Sequence, residues 1–249
     1  MNIFKPDTNR SFLIFGKSKS GKTTFINNII NIYKNQFQLV IFLMATNDPS
    51  DYKQFKEKRY AKRIRFDRLT AEHLIFYKDH VMEMVKENPE LIGKILIVLD
   101  DPLTSNFDTR KIQRQISDMI YNGRHYFSYI LSSQSLRDIN ISFRSNFDQV
   151  FLKYFKSSKI LNLYHASYIG DDYCKRFVAK MREIWRSDKY TTLMLNDNDE
   201  LKLVKIFKKS SPNSHRKFKK SSPNNHRRFK KSSPNNHKKI TIRISDFKF

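Results

Sequence analysis

Gly16-Lys17-Ser18-Lys19-Ser20-Gly21-Lys22-Thr23 matches the pattern G-x-x-x-x-G-K-[ST] in full. The β-prone run Arg10–Phe15 (RSFLIF) leads into it, and Lys22–Tyr33 follows with Phe25, Ile26, Ile29, Ile30 and Tyr33 on one helical face. Strand, glycine-bounded loop and helix in that order predict a phosphate-binding loop. Gly16 and Gly21 let the backbone curl so that successive N–H groups point at phosphate oxygens. Lys17, Ser18, Lys19, Ser20 and Thr24 fill out the cradle, and the helix N-terminus adds partial positive charge. Lys22 is expected to reach the β and γ phosphates, and the Thr23 hydroxyl to bind Mg²⁺. The competing reading is a ligand-free Gly-Ser turn that shares the spacing; the flanking strand and helix argue against it.

Outward from this loop the chain alternates. Gln38–Met44 (QLVIFLM), Arg63–Phe66, Ile95–Leu99 (ILIVL), Tyr126–Ser132 and Gln149–Phe155 read as strands; Ala71–Lys86 and Thr109–Tyr121 read as helices. Apolar strands alternating with helices predict an α/β domain, a mostly parallel central sheet flanked by helices. Thr191–Leu195 and Leu201–Phe207, joined through Asn196-Asp197-Asn198-Asp199, predict a β-hairpin at the far edge of the sheet.

Ile95–Leu99 runs straight into Asp100-Asp101. Two carboxylates at the end of a buried strand are costly unless a cation or a polarised water uses them. Asp100 is placed for the Mg²⁺ shell, as a Walker B aspartate, and Asp101 to orient the water that attacks a γ phosphate. The alternative is a turn started by Asp before Pro102.

Asn122-Gly123-Arg124-His125 precedes the next strand, which ends at Ser133-Gln134. With these residues added, the chain resembles the FtsK/HerA superfamily of DNA-pumping ATPases, and within it the genome-packaging ATPases of large nucleocytoplasmic DNA viruses, including the poxvirus type. The resemblance is carried by GKSKSGKTT, ILIVLDD, NGRHYFSYILSSQ and Ile141-Ser142-Phe143-Arg144-Ser145-Asn146, and spans roughly residues 10–207. It implies a P-loop ATPase of the additional-strand type that works as a homo-oligomeric ring. Its substrate would be ATP with Mg²⁺, and its partners double-stranded DNA and viral capsid or portal-like proteins. It also implies that Gln134 senses the γ phosphate and that Arg124 is an arginine finger acting on a neighbouring subunit. Arg144 is a second candidate for that contact. Read without the resemblance, Arg124 is a solvated surface charge and Gln134 a strand-end amide. The superfamily often carries Asp-Glu where this chain has Asp100-Asp101, which brings the attacking water closer or makes Asp101 act less directly. A virion or cytoplasmic assembly-site location goes with this reading.

Charge supports a polyanionic partner. Forty-eight Lys and Arg against 24 Asp and Glu give a net charge of +24 over 249 residues. Residues 208–240 are three near-identical copies of an 11-residue unit (KKSSPNSHRKF, KKSSPNNHRRF, KKSSPNNHKKI), which hold 12 Lys or Arg and no acid. Each copy has one bulky apolar residue and a Ser-Ser-Pro-Asn breaker, too little to bury, so a disordered basic tail is expected. A Pro in every copy excludes an 11-residue coiled-coil repeat. The tail reads as a DNA-binding segment, a nuclear-targeting signal or a copying expansion without a role. Three units follow: a P-loop domain over 1–207, the repeats over 208–240, and a short segment over 241–249, in which Ile240–Ile244 alternates like a strand.

Hydrophobic residues make up 39% of the chain, so global disorder is excluded. Cys174 is the single cysteine, which excludes an internal disulfide framework and a Cys-built zinc site. No apolar run approaches the roughly 20 residues of a membrane span. No Asn-Lys-x-Asp motif supports a GTPase. A self-contained P-loop kinase or NTPase is compatible with the loop alone but leaves the basic excess unexplained. A non-catalytic DNA-binding or capsid-associated protein with a vestigial loop is the rival from another class.

Overall fold

The computed structural model describes residues 8–33, 35–45, 50, 52, 55, 64–102, 109–135, 139, 146–170, 174–196, 200–208 and 240–247. Its strands are β1 (Ser11–Phe15), β2 (Leu39–Met44), β3 (Ile64–Arg68), β4 (Ile95–Asp100), β5 (Ser128–Ser133), β6 (Gln149–Leu152), β7 (Thr192–Leu195), β8 (Leu201–Lys208) and β9 (Ile240–Asp246). Its helices are α1 (Lys22–Tyr33), α2 (Ala71–Glu87), α3 (Thr109–Gly123), α4 (Ser158–Tyr168) and α5 (Cys174–Ser187). The strands form one sheet in the order β3-β2-β4-β5-β1-β6-β7-β8-β9. The first six run parallel, and the last three add antiparallel.

Period-two alternation splits the core between the sheet's two faces. Phe12 and Ile14 of β1, with Phe42, Val98 and Ile130 of its neighbours, point toward Phe25, Ile26, Ile29 and Ile30 of α1. Leu13 and Phe15, with Ile97, Leu99 and Leu131, point to the opposite face, which α2, α3, α4 and α5 cover. Strands buried on both faces have no polar alternation to show, which is why β1, β2, β4 and β6 read as continuous apolar runs. The edge strand β3 is different: Arg65, Asp67 and Arg68 interrupt it, and such charges oppose pairing with another chain.

Topology bears out the additional strand. β5 lies between β1 and β4, with Ile14 opposite Ser132 and Leu99 opposite Leu131. The C-terminal ends of the loop strand, the acidic strand and the strand between them therefore share one edge. Thr70 caps α2 by accepting the His73 N–H at 3.1 Å, and the helix closes at Asn88, before Pro89.

Three differences from the sequence expectation have local causes. β5 begins at Ser128 rather than Tyr126, because the Tyr126 and Phe127 N–H groups turn back to the Gly123 carbonyl. Residues 156–190 carry no element in the sequence reading, yet they form α4 and α5, which bury Leu161, Tyr164, Phe177, Met181 and Trp185. The β7–β8 hairpin forms as expected but does not end the sheet, since β9 pairs with β8 from Lys202↔Asp246 to Lys208↔Ile240. The expected Ile240–Ile244 strand is thus the start of a longer one, and the repeats connect two paired strands. From Lys209 to Lys239 the repeats lie outside the described residues, as does Arg144. No helix among the described residues is long and apolar enough to cross a membrane.

Gly123 ends α3 where the chain turns into β5, and a β-carbon there would lie 2.0 Å from the tip of the Phe127 ring. That ring is fully buried. Gly123→Ala is expected to destabilise the fold by about 1–3 kcal/mol in urea titration, and Phe127→Leu in the same chain should recover part of the loss. An unchanged unfolding midpoint for Gly123→Ala would show that the ring is not confined.

Candidate nucleotide-binding site

The loop that follows β1 is anchored across the sheet: the Gly16 N–H donates to the Ser133 carbonyl at 3.1 Å. Lys19 at φ 60° and Gly21 at φ 87° turn the backbone through left-handed conformations, the geometry that makes a concave nest of N–H groups. Gly16 is required for space, since a β-carbon there would meet Ser20 Oγ at 2.3 Å and Lys153 Cβ at 2.7 Å. Lys17, Ser18 and Lys19 are exposed along the rim, Ser20 is buried, Thr23 is half-buried at the head of α1 and Thr24 is exposed. Lys17 reaches sideways, its ammonium 5.1 Å from the centre of the Tyr154 ring.

Lys22 is only 5% exposed, and its ammonium is fully engaged. It donates to the Gly16 carbonyl at 2.9 Å and pairs with Asp101 Oδ2 at 3.2 Å. The same carboxylate oxygen accepts the Gln134 side-chain amide at 3.1 Å. The structure therefore brings Lys22, Asp101 and Gln134, three residues singled out from sequence, into one connected cluster beside the loop. Asp101 sits at φ 46°, a conformation a side chain rarely adopts, and its N–H donates to Ser132 Oγ at 2.9 Å.

Asp100 occupies the last position of β4. Its Oδ1 accepts the Ser132 hydroxyl at 2.6 Å and its Oδ2 the Tyr52 hydroxyl at 2.7 Å. Burial pushes its carboxyl above the ordinary range against the pull of those two hydroxyls; neighbouring Asp101 adds to the rise and Lys22 opposes it. The donor set suits Mg²⁺: a hydroxyl and a carboxylate, both hard oxygen ligands. No group of three or more His, Cys, Asp or Glu poised for a metal occurs among the described residues.

Arg124 stands apart. It is exposed in the turn between α3 and β5, with its Nε 3.2 Å from His125 Nε2. Residues 125–127 and the six residues of β5 separate it from Gln134, and the strand alone spans about 20 Å at roughly 3.3 Å per residue. Arg124 is therefore at the opposite end of the sheet from its own chain's phosphate loop.

Three residues of the site escape the sequence reading. Ser132 lies inside the quoted SYILSSQ run, where its polarity at a buried strand position is the available signal. Tyr52 lies far from any motif and carries no signal. Lys153, directly after β6, is 3% exposed. Its N–H donates to the Phe15 carbonyl at 2.7 Å, and its ammonium donates to the Tyr190 carbonyl at 3.0 Å and Thr192 Oγ1 at 2.8 Å. A lysine closing an apolar strand is a visible anomaly in Gln149–Phe155. Burial lowers its pKa from the ordinary 10.5 to about 8, an effect Asp188 opposes.

A phosphate loop between strand and helix, an acidic end to a second strand, and a third strand between the two define a P-loop NTPase of the additional-strand type. The family model described as Poxvirus A32 protein matches residues 7–199, and the chain belongs to that family. No curated protein matches the sequence significantly. Among solved structures, the fold is similar to B204, the DNA-packaging ATPase of Sulfolobus Turreted Icosahedral Virus. That likeness has a TM-score of 0.57 at 17% identity, over 82% of this chain and 98% of that one. The genome-packaging NTPase B204 of Sulfolobus turreted icosahedral virus 2, in complex with ATP-gammaS, gives 0.55 at 16% identity, over 78% and 96%. EssC (ATPases 2 and 3) from Geobacillus thermodenitrificans gives 0.50 at 15%, over 73% and 45%. Family and fold together indicate a viral genome-packaging NTPase.

Lys153 gives the fold a distinctive pH response. Below about pH 8 both the folded and unfolded chains carry the ammonium, and its burial cost is fully present. Between about 8 and 10.5 the folded chain sheds the proton first, so stability rises with pH. Compared with Lys153→Met, the wild type should gain on the order of 3 kcal/mol across that window in denaturant titrations. A stability difference that stays flat from pH 7 to 10.5 would contradict a charged, desolvated lysine.

Proposed function

We propose that this chain is an ATP-hydrolysing motor that moves double-stranded DNA into a viral capsid, acting as a homo-oligomeric ring at cytoplasmic assembly sites and on the virion. The observation that carries the catalytic part is the Lys22–Asp101–Gln134 cluster at the phosphate loop. Membership of the Poxvirus A32 family and the likeness to B204 support the packaging part.

Lys22 exchanges the Gly16 carbonyl and the Asp101 carboxylate for β and γ phosphate oxygens when ATP enters. The exchange releases Asp101, which then accepts a proton from, and so aligns, the attacking water. Gln134 already touches Asp101, so a γ phosphate that draws the amide away is sensed through the same contact. Thr23 and Asp100 would hold Mg²⁺, which when bound neutralises charge on the phosphates. Ser132 and Tyr52 hold Asp100 in place. Arg124 lies far from its own loop, which supports a role for it in the site of an adjacent subunit. Loss of an arginine finger costs about 10³ to 10⁵ in rate.

The net charge of +24 supports DNA as the substrate track, by counterion release from phosphates. The vestigial reading has little support from the site, because every position of the nucleotide machinery holds a residue able to do its work.

ATP hydrolysis by the purified chain, with and without double-stranded DNA, tests the proposal. DNA should stimulate turnover, and Lys22→Ala or Asp101→Asn should abolish it while leaving the unfolding transition intact. Near-normal turnover by either variant would falsify the mechanism. Mixing Lys22→Ala with Arg124→Ala should restore part of the activity that each lacks, because the first supplies Arg124 to the intact Lys22 of the second. Failure of the mixture to regain turnover would rule out an arginine shared between subunits.

A further inference from the structure

The phosphate loop has two flanks, and they differ. On the β5 and β4 side, Asp101 pairs with Lys22 and accepts the Gln134 amide, which fixes that side for the terminal phosphate. The nucleoside end of a bound nucleotide then leaves across Gly21, toward the turn between α5 and β7. Tyr190 occupies that turn. It is 60% exposed, one of few large apolar side chains left open to solvent among the described residues, yet it leans on the loop. A β-carbon on Gly21 would touch its ring at 3.5 and 3.8 Å.

The turn that presents this ring is tied down on every side. The Tyr190 N–H donates to Asp188 Oδ1 at 3.0 Å, and its carbonyl accepts the buried Lys153 ammonium at 3.0 Å. The Thr191 hydroxyl donates to Asp188 Oδ2 at 2.8 Å, and the Thr191 carbonyl accepts the Trp185 indole N–H at 2.9 Å. Lys205 pairs with Asp188 at 3.6 Å. The Lys189 ammonium lies 5.1 Å from the centre of the Tyr190 ring, and none of the turn's hydrogen bonds given above runs through the Tyr190 side chain. A ring held rigidly beside a phosphate cradle loses little entropy on receiving a planar ligand.

We infer that Tyr190 is the stacking platform for the nucleobase of the bound triphosphate. The inference rests on the nucleotide-binding reading of the loop and adds the base subsite to it. Lys153 acts as the strut: one side chain packs under Gly16 and Gly21 and holds the carbonyl of Tyr190, so the phosphate cradle and the base platform keep a fixed separation. Stacking recognises a π face rather than a hydrogen-bond pattern, so the platform favours purines by area and distinguishes adenine from guanine weakly.

Calorimetric titration with ATP, GTP and inorganic tripolyphosphate, each with Mg²⁺, tests this on the wild type, Tyr190→Ala and Tyr190→Phe. Tyr190→Ala should weaken ATP and GTP binding about 5- to 150-fold, the range of base–aromatic stacking, and leave tripolyphosphate unchanged. Tyr190→Phe should bind all three as the wild type does. Equal weakening of ATP and tripolyphosphate by Tyr190→Ala would overturn the inference, showing that the ring props the loop instead. Unchanged ATP binding would overturn it by placing the base elsewhere while leaving the loop's role intact. If the wild type binds neither ATP nor tripolyphosphate, the nucleotide reading itself fails, and this one with it.

Discussion

A lysine ammonium withdrawn almost entirely from water needs opposite charge close at hand, and at Lys22 that need organises the molecule. The compensating carboxylate, Asp101, stands at the end of β4, which is two strands away from the loop strand β1. The two meet across β5, which lies between them in parallel register with its own end at the same edge of the sheet. Everything that keeps these ends level therefore bears on the charge cluster: the apolar faces of the strands, the helices that cover them, and the Gly16–Ser133 bond that pins the loop to β5. Asp101 is held in a left-handed backbone conformation, the local strain that this meeting demands.

The cluster also has a layered support. Ser132 bridges the two aspartates, donating to Asp100 and accepting from the backbone of Asp101. Tyr52 takes the other oxygen of Asp100. With both oxygens occupied and the carboxyl still pushed upward by burial, Asp100 is poised for a cation that would relieve the cost of its charge. On the opposite flank Lys153 plays a matching part, a second buried ammonium whose partners are a carbonyl and a hydroxyl rather than a carboxylate. The loop thus lies between one paired lysine and one unpaired in charge.

Much of this was legible in the chain. The loop, its strand and helix, and the acidic strand end are local patterns, and local patterns survive without knowledge of the fold. The buried strands β1, β2, β4 and β6 announce themselves because burial on both faces leaves only apolar residues. What stayed hidden depends on tertiary pairing. α4 and α5 follow a lysine-rich stretch, and their buried residues gain meaning only once the β6–β7 part of the sheet is there to receive them. Tyr52 reaches Asp100 across 48 positions of sequence, with no spacing rule to suggest it. Gln134 was legible only through a family resemblance; its contact with Asp101 now gives it a physical basis.

The pairing of β8 with β9 changes what the repeats can reach. A block of 31 residues joined to the fold at one end could extend roughly 100 Å at about 3.5 Å per residue. Joined at both ends, through Lys208 and Ile240, it reaches at most about half as far. In chain order the basic repeats are thus an insertion between two neighbouring strands of the sheet, not an appendix that follows the last of them.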